Sequence, residues 1–151
     1  MKNDVVPVQI RGILPATNGC ALFVGNDAKV FVIHVEPSMG QVIGMFLKET
    51  PKERPLTHDL IANILKGFNI NVERVVITEL RNSTYYARLI LQQQNEVARK
   101  LVEIDARPSD CLAIASAQKK PIYVSTPLFE QVEDMTSVLD KINENGGEVE
   151  E

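Results

Sequence analysis

Residues 72–91 read VERVVITELRNSTYYARLIL, and the fold turns on this stretch. Two runs rich in Val, Ile, Thr, Tyr and Leu, Val72 to Leu80 and Tyr85 to Leu91, flank the turn Arg81-Asn82-Ser83-Thr84. β-Branched and aromatic side chains suit a pleated, half-buried surface, and Asn and Ser tolerate the backbone of a tight turn. The stretch predicts an antiparallel hairpin. Toward the N-terminus, Val5 to Leu14, Cys20 to Val24 and Val30 to Val35 are three further apolar runs, parted by Pro15-Ala16-Thr17-Asn18-Gly19 and Gly25-Asn26-Asp27. They predict a three-stranded antiparallel opening, with Pro7 marking the first strand as an edge.

Between these blocks the period changes from two to about 3.6. Met39, Val42, Ile43, Phe46 and Leu47 form one face of a helix that Pro37 can open. Gly40 and Gly44 on that stripe cost helix propensity, so something must pack closely there. A second helix carries Leu60, Ile61, Ile64, Leu65 and Phe68, with Thr57 as its expected cap. Beyond the hairpin, Gln92 to Lys100 reads as a polar flexible excursion and Leu101 to Asp105 as a strand. Pro108 opens a helix ending near Lys119 and Lys120, and Ile122 to Val124 is a short strand. A last helical region from Pro127 aligns Leu128, Val132, Met135, Leu139 and Ile142 before Gly146-Gly147. The class is α+β, a mixed, mainly antiparallel sheet packed with helices. Residues 1–145 read as one domain and 146–151 as an acidic disordered tail.

With 151 residues, 44% hydrophobic and 24% charged, the composition excludes a disordered or fibrous chain. No Trp and 5% aromatic residues argue against a run of base-stacking platforms. A net charge of −4 argues against a broad basic surface but leaves room for a local phosphate site. Cys20 and Cys111 form no C-x-x-C pair and read as reduced thiols in a cytoplasmic protein. Met1-Lys2-Asn3-Asp4 does not read as a secretory signal, and no apolar run approaches the ~20 residues of a membrane helix. No membrane partner is expected.

Three polar clusters sit where a loop meets an element. Arg54-Pro55-Leu56-Thr57-His58-Asp59-Leu60 opens the second helix, where free N–H groups favour anions; capping and dipole compensation account for Thr57 and Asp59 equally well. Asp105-Ala106-Arg107-Pro108-Ser109-Asp110 joins a strand end to a helix start. Its carboxylates suit Mg²⁺ or Mn²⁺, and Arg107 suits a phosphate oxygen. The same spacing also fits a helix start in which Arg107 merely bridges to Asp59 or Asp110. Thr84-Tyr85-Tyr86-Ala87-Arg88 enters a strand, where tyrosines are mostly packing residues. His34 reads as a packed strand histidine, and Cys111 as a thiol without a base. No Walker loop, G-x-G-x-x-G, H-E-x-x-H or G-x-S-x-G occurs.

At these clusters the chain resembles the bifunctional nuclease (BFN) domain family, also called DUF151. The matching pieces are the Arg54–Leu60 and Asp105–Asp110 clusters, Val75-Val76-Ile77-Thr78-Glu79-Leu80, Thr84-Tyr85-Tyr86-Ala87 and Pro121-Ile122-Tyr123-Val124, in the family's order. The resemblance implies a compact α+β domain, often dimeric, that degrades both DNA and RNA. The chain departs from the family at Met39, which stands where many members carry a Glu; Glu36 lies three residues earlier.

Two functions follow as expectations. In the first, the chain is a metal-dependent nuclease hydrolysing DNA and RNA with little sequence specificity. Asp59, Asp105 and Asp110 would hold Mg²⁺ or Mn²⁺, His58 would move a proton, and Arg54 and Arg107 would orient the phosphate. In the second, the same Asp, Arg and His residues form a structural ion-pair network in a non-catalytic binding or assembly module. A buried, mutually paired network favours the second, an open acidic crevice the first. The Gly40/Gly44 stripe, with the family's habit, predicts a homodimer.

Overall fold

The computed structural model describes residues 4–145. The acidic tail proposed for residues 146–151 lies outside them. Strands β1 (Val5–Ala16), β2 (Gly19–Gly25) and β3 (Val30–Val35) form one antiparallel meander, and β4 (Ile70–Arg81), β5 (Thr84–Gln94) and β6 (Arg99–Ala106) form another. The short β7 (Ile122–Ser125) joins them, antiparallel to β1 and parallel to β4. The seven strands run in the order β3-β2-β1-β7-β4-β5-β6. The fold is the α+β class expected, with one parallel pairing in a mainly antiparallel sheet.

Residues 72–91 form their hairpin with Arg81 opposite Thr84. Asn82 and Ser83 both have positive φ, 51° and 64°, the geometry that matches the twist of two-residue hairpins. Pro7 does not mark an edge strand, because β1 lies inside the sheet: residues 5–8 pair with β7, and pairing with β2 begins at Gln9. The Pro7 carbonyl meets Asn26 Nδ2 at 3.4 Å instead of a ladder partner. On that flank the missing N–H of proline costs no sheet bond. Gln92 to Lys100 is not a flexible excursion. β5 and β6 extend through it, and the Asn95 side chain accepts from Val97 and Ala98 N–H (2.8 and 2.9 Å) to close the turn.

Helices α1 (Pro37–Leu47), α2 (Thr57–Gly67) and α3 (Pro108–Gln118) follow in the chain, and α3 touches both of the others and the strands β4 and β5. Enclosed on several sides, α3 is buried from Pro108 to Ala115 apart from Asp110, and its sequence shows no single apolar face. Gly40 meets β2: a Cβ there would stand 2.3 Å from Cys20 Sγ. The small-residue stripe of α1 is therefore used inside the chain and does not itself argue for a dimer. On α2 only Ile61 and Leu65 pack on the core, whereas Leu60, Ile64 and Phe68 are exposed.

The last helical region is two helices, α4 (Thr126–Gln131) and α5 (Thr136–Glu144), broken at Val132. The break is pinned to β3: Met135 N–H donates to Val30 O at 2.6 Å, and Asp134 Oδ1 accepts from Val30 N–H at 3.3 Å. Val30 is on an edge strand, so its free backbone groups compete with helix continuation. α5 then closes a second small core over Phe23 and Val30 with Leu139.

Candidate functional site

Because α2 and α3 are neighbours in the layer, their first turns meet. His58 Nε2 stands 2.9 Å from Asp110 Oδ1, and Arg107 Nε donates to Asp110 Oδ2 at 3.0 Å. Both carboxylate oxygens are thus engaged. Burial pushes the Asp110 carboxyl up, but the bonds and charges of Arg107 and His58 outweigh it and hold it below its ordinary value. The Arg107 guanidinium is raised in turn, first by its bond to Asp110 and least by the charge of Glu36. His58 is 6% exposed, its ring edge-on to Phe46 at 6.4 Å. Arg107 reaches outward, with 60% of its side chain exposed.

The other three expected site residues do not join them. Asp59 turns back on its own helix start, accepting from Leu56 N–H at 2.8 Å with Lys52 Nζ at 3.6 Å. Leu56 is therefore the capping residue of α2 and Thr57 the first residue inside it, which corrects the expected cap. Asp105 is exposed on β6, opposite Arg88 of β5. Its charge still reaches inward: burial, then Asp110, then Asp105 push the Cys111 thiol up to about 12, which silences it as a nucleophile. Arg54 is exposed and makes no ion pair among the described residues.

A cation shared by Asp59, Asp105 and Asp110 does not fit this arrangement. Among the described residues no three His, Cys, Asp or Glu stand close enough to hold a metal ion. The reason is local. Asp59 is claimed by a backbone N–H and Lys52, and Asp110 by His58 and Arg107.

Arg107 lies on the wall of an open groove of about 1210 Å³. Glu36 and Pro37 at the start of α1 and Pro108 and Ser109 at the start of α3 line it, with His34 and the β1–β2 turn opposite. Both helices begin with Pro, and neither Glu36 nor Arg107 makes a side-chain capping bond. Of the first-turn residues that keep an N–H, Ser109 of α3 lines the groove, beside the Arg107 guanidinium, an arrangement suited to an oxyanion. His34 is exposed here rather than packed, because Val30 and Val32 on its side of the strand are covered by α5 and the cover ends before residue 34. Tyr85, also at the groove, is a packing residue: its ring lies 5.9 Å from Phe31 and its hydroxyl donates to Val32 O at 3.3 Å. Met39 is 8% exposed in the core, so the acid at this end of α1 is Glu36. The sequence signal for the groove was the turn cluster at 15–19, read only as a turn.

The model of the bifunctional nuclease domain matches residues 22–136, which include both helix starts and all six expected site residues. Two curated relatives, the uncharacterized proteins Rv1829 and MT1877 of Mycobacterium tuberculosis strains H37Rv and CDC 1551, are each 31% identical over 106 residues. That match takes in 70% of this chain and 60% of each relative, so the chain spans less than two thirds of their length. With a family match over most of its length, laid over the fold just described, this chain belongs to the bifunctional nuclease domain family.

Proposed function

We propose that the chain is a nuclease that hydrolyses phosphodiester bonds of DNA and RNA with little sequence preference, at the groove around Arg107. The observation that carries this reading is an exposed guanidinium, pinned through its Nε by Asp110, at the mouth of a groove where two uncapped helices begin. Arg107 binds a phosphate oxygen and keeps its outer nitrogens for it. First-turn N–H groups of α3 add fixed partial positive charge where the phosphoryl oxygens gather charge in the transition state. Asp110 positions Arg107, and His58 is the proton-carrying group beside it, with Asp110 orienting one ring nitrogen. Backbone and guanidinium contacts read phosphate rather than base, which suits both nucleic acids. Arg54, Asp59 and Asp105 stand outside this trio, and among the described residues no three carboxylate, His or Cys groups stand close enough to hold one cation. Two buried cysteines and no disulfide among the described residues support a cytoplasmic location. A homodimer would use the exposed Leu60, Ile64 and Phe68 face of α2.

A second reading has its own observation: His58 is buried and both oxygens of Asp110 are paired, as in a structural clamp between two helix starts. Purified protein assayed on single- and double-stranded DNA and RNA, with EDTA or with Mg²⁺ or Mn²⁺, separates the two. Nuclease activity lost in Arg107→Ala, with the melting temperature kept, supports catalysis at the groove. Activity that survives Arg107→Ala, or is absent from the wild type on every substrate under every ion condition, removes it. An activity that survives EDTA ends the expected dependence on Mg²⁺ or Mn²⁺.

A further inference from the structure

The sheet has two edges, and they are finished differently. At β3 the free backbone is taken up: Val30 O accepts from Met135 N–H, Val30 N–H donates to Asp134 Oδ1, and Val32 O accepts from the Tyr85 hydroxyl at 3.3 Å. At the other end of the strand order, β6 pairs with β5 alone. Asn95 N–H donates to Ala98 O at 3.0 Å, which fixes the alternation of bonded and unbonded pairs along the β5–β6 hairpin. Lys100, Val102, Ile104 and Ala106 therefore turn their backbone groups to β5, and Arg99, Leu101, Glu103 and Asp105 turn theirs outward. Among the described residues nothing bonds to those outward N–H and C=O groups.

An open edge of this length is a template for a further strand, and natural sheets cover or charge theirs. The charges on β6 are arranged so that the strand complements itself. An antiparallel copy related by a twofold axis can bond only where outward residues meet outward residues. The register that uses all four of them centres on Val102. It sets Arg99 opposite the partner's Asp105 at each end of the seam, Leu101 opposite the partner's Glu103 and Lys100 opposite the partner's Ile104, with no like charges face to face. Sliding the copy two residues one way sets Glu103 against the partner's Glu103; the other way, Asp105 loses its arginine.

Apolar surface collects at the same edge. Leu101 and Ile104 of β6 are 49% and 40% exposed, and the exposed row Leu60, Ile64 and Phe68 of α2 lies alongside. α2 runs beside β6 because it is held at both ends. His58, in its first turn, meets Asp110 just beyond β6, and Phe68 O accepts from the side chain of Gln93, which stands opposite Lys100, at 3.2 Å.

We propose that this edge is an interface between two copies of the chain, in which the β6 strands pair antiparallel about Val102 and join two seven-stranded sheets into one. The α2 rows flank the seam. The proposal rests on the homodimer reading above, to which it gives a strand and a register, and it is independent of the nuclease chemistry. Arg107 follows β6 directly, so antiparallel pairing sets the two grooves at opposite ends of the seam.

Sedimentation of the full chain at micromolar concentration should give twice the 16.8 kDa chain mass. Glu103→Pro removes an outward N–H, a change that an edge strand tolerates, and should raise the dimer dissociation constant about a hundredfold or more. Asp105→Arg, which opposes two arginines, should weaken association about tenfold, and adding Arg99→Asp should restore it. The register is read by crosslinking. Residue 102 stands opposite its own copy in an unbonded pair, about 4.5 Å between Cα atoms and within disulfide reach. Under mild oxidation Val102→Cys should give a covalent dimer on a non-reducing gel and Leu101→Cys should not; Cys20 and Cys111 are buried and do not compete. A wild-type monomer overturns the proposal and leaves the edge to a strand of another protein. So does a crosslink at Leu101→Cys in place of Val102→Cys, or a dimer that survives Glu103→Pro and is dissociated by Phe68→Glu. Should Glu103→Pro fail to fold, the Val102→Cys crosslink decides. A failed nuclease reading would show separately, in the Arg107→Ala activity assay, since none of these measurements reads activity.

Discussion

The two ends of the α1–α3 pair are made of the same two helices and are finished in opposite ways. At the N-terminal end both helices open with proline, neither has a side-chain cap, and Arg107 stands on the wall of an open groove there. At the C-terminal end both are closed by a left-handed residue, and the charges there come from Glu49, Lys119, Lys120 and Arg11 over an apolar floor. At the groove, a guanidinium pinned through its Nε by Asp110 needs little reordering when an anion arrives.

That contrast is broken most directly by removing the guanidinium. Arg107→Ala should lower nuclease activity roughly a hundredfold, the usual scale for losing one electrostatic contact to a transition state, while stability falls by no more than about 1 kcal/mol, the scale of one exposed ion pair. Next in size, Gly40→Ala drives a Cβ to within 2.3 Å of Cys20 Sγ at the seam between α1 and β2. Chemical denaturation should show a loss of roughly 1–3 kcal/mol, the range for overpacking a core.

The pH dependence sharpens the electrostatic side. Asp110 has a folded-state pKa below its ordinary 3.8, so its stabilising contribution is present above 3.8 and is lost as pH falls through the folded value. Asp110→Asn removes this term, and its melting temperature should fall less steeply than that of the wild type as the pH drops below 3.8.

Two smaller effects compare how helix ends are finished. Asp59→Ala should cost roughly 1 kcal/mol, since Asp59 satisfies the Leu56 N–H at the start of α2. Thr57→Ala, outside the cap and exposed, should stay within about 0.5 kcal/mol of wild type in the same denaturation experiment. At the closed end, Lys119→Gly relieves a left-handed backbone and should raise stability by about 1 kcal/mol, and its exposed ion pair returns little of that.

Legibility followed the range of the interactions. The hairpin at 72–91, the β1–β3 meander and the boundaries near Pro37 and Pro108 are written in local periods and turn residues, and they appear as read. Readings that failed depended on distant partners. Pro7 looked like an edge because the flank left free by Asn26 is invisible in its neighbours. The α4–α5 break needs the Val30 backbone, more than a hundred residues away in sequence. Of the candidate site, the two clusters at the helix starts were legible, since Pro, Arg, His and Asp at such boundaries carry their own chemistry. Which of them touch was not. Asp59 and Asp110 occupy equivalent first-turn positions, yet one binds Leu56 N–H and Lys52 while the other binds His58 and Arg107.

Sequence by itself determined the class of fold and the two loop–helix junctions where polar residues collect, because each rests on residues within a turn or two of one another. Only the tertiary structure decided that the two junctions meet through Asp110, that Gly40 serves Cys20 rather than another chain, and that the α1–α3 pair has an open groove at one end and a lined cleft at the other. A carboxylate is committed by whichever donor the packing of its helix brings within hydrogen-bond reach, and helix packing is set by the whole sheet beneath it.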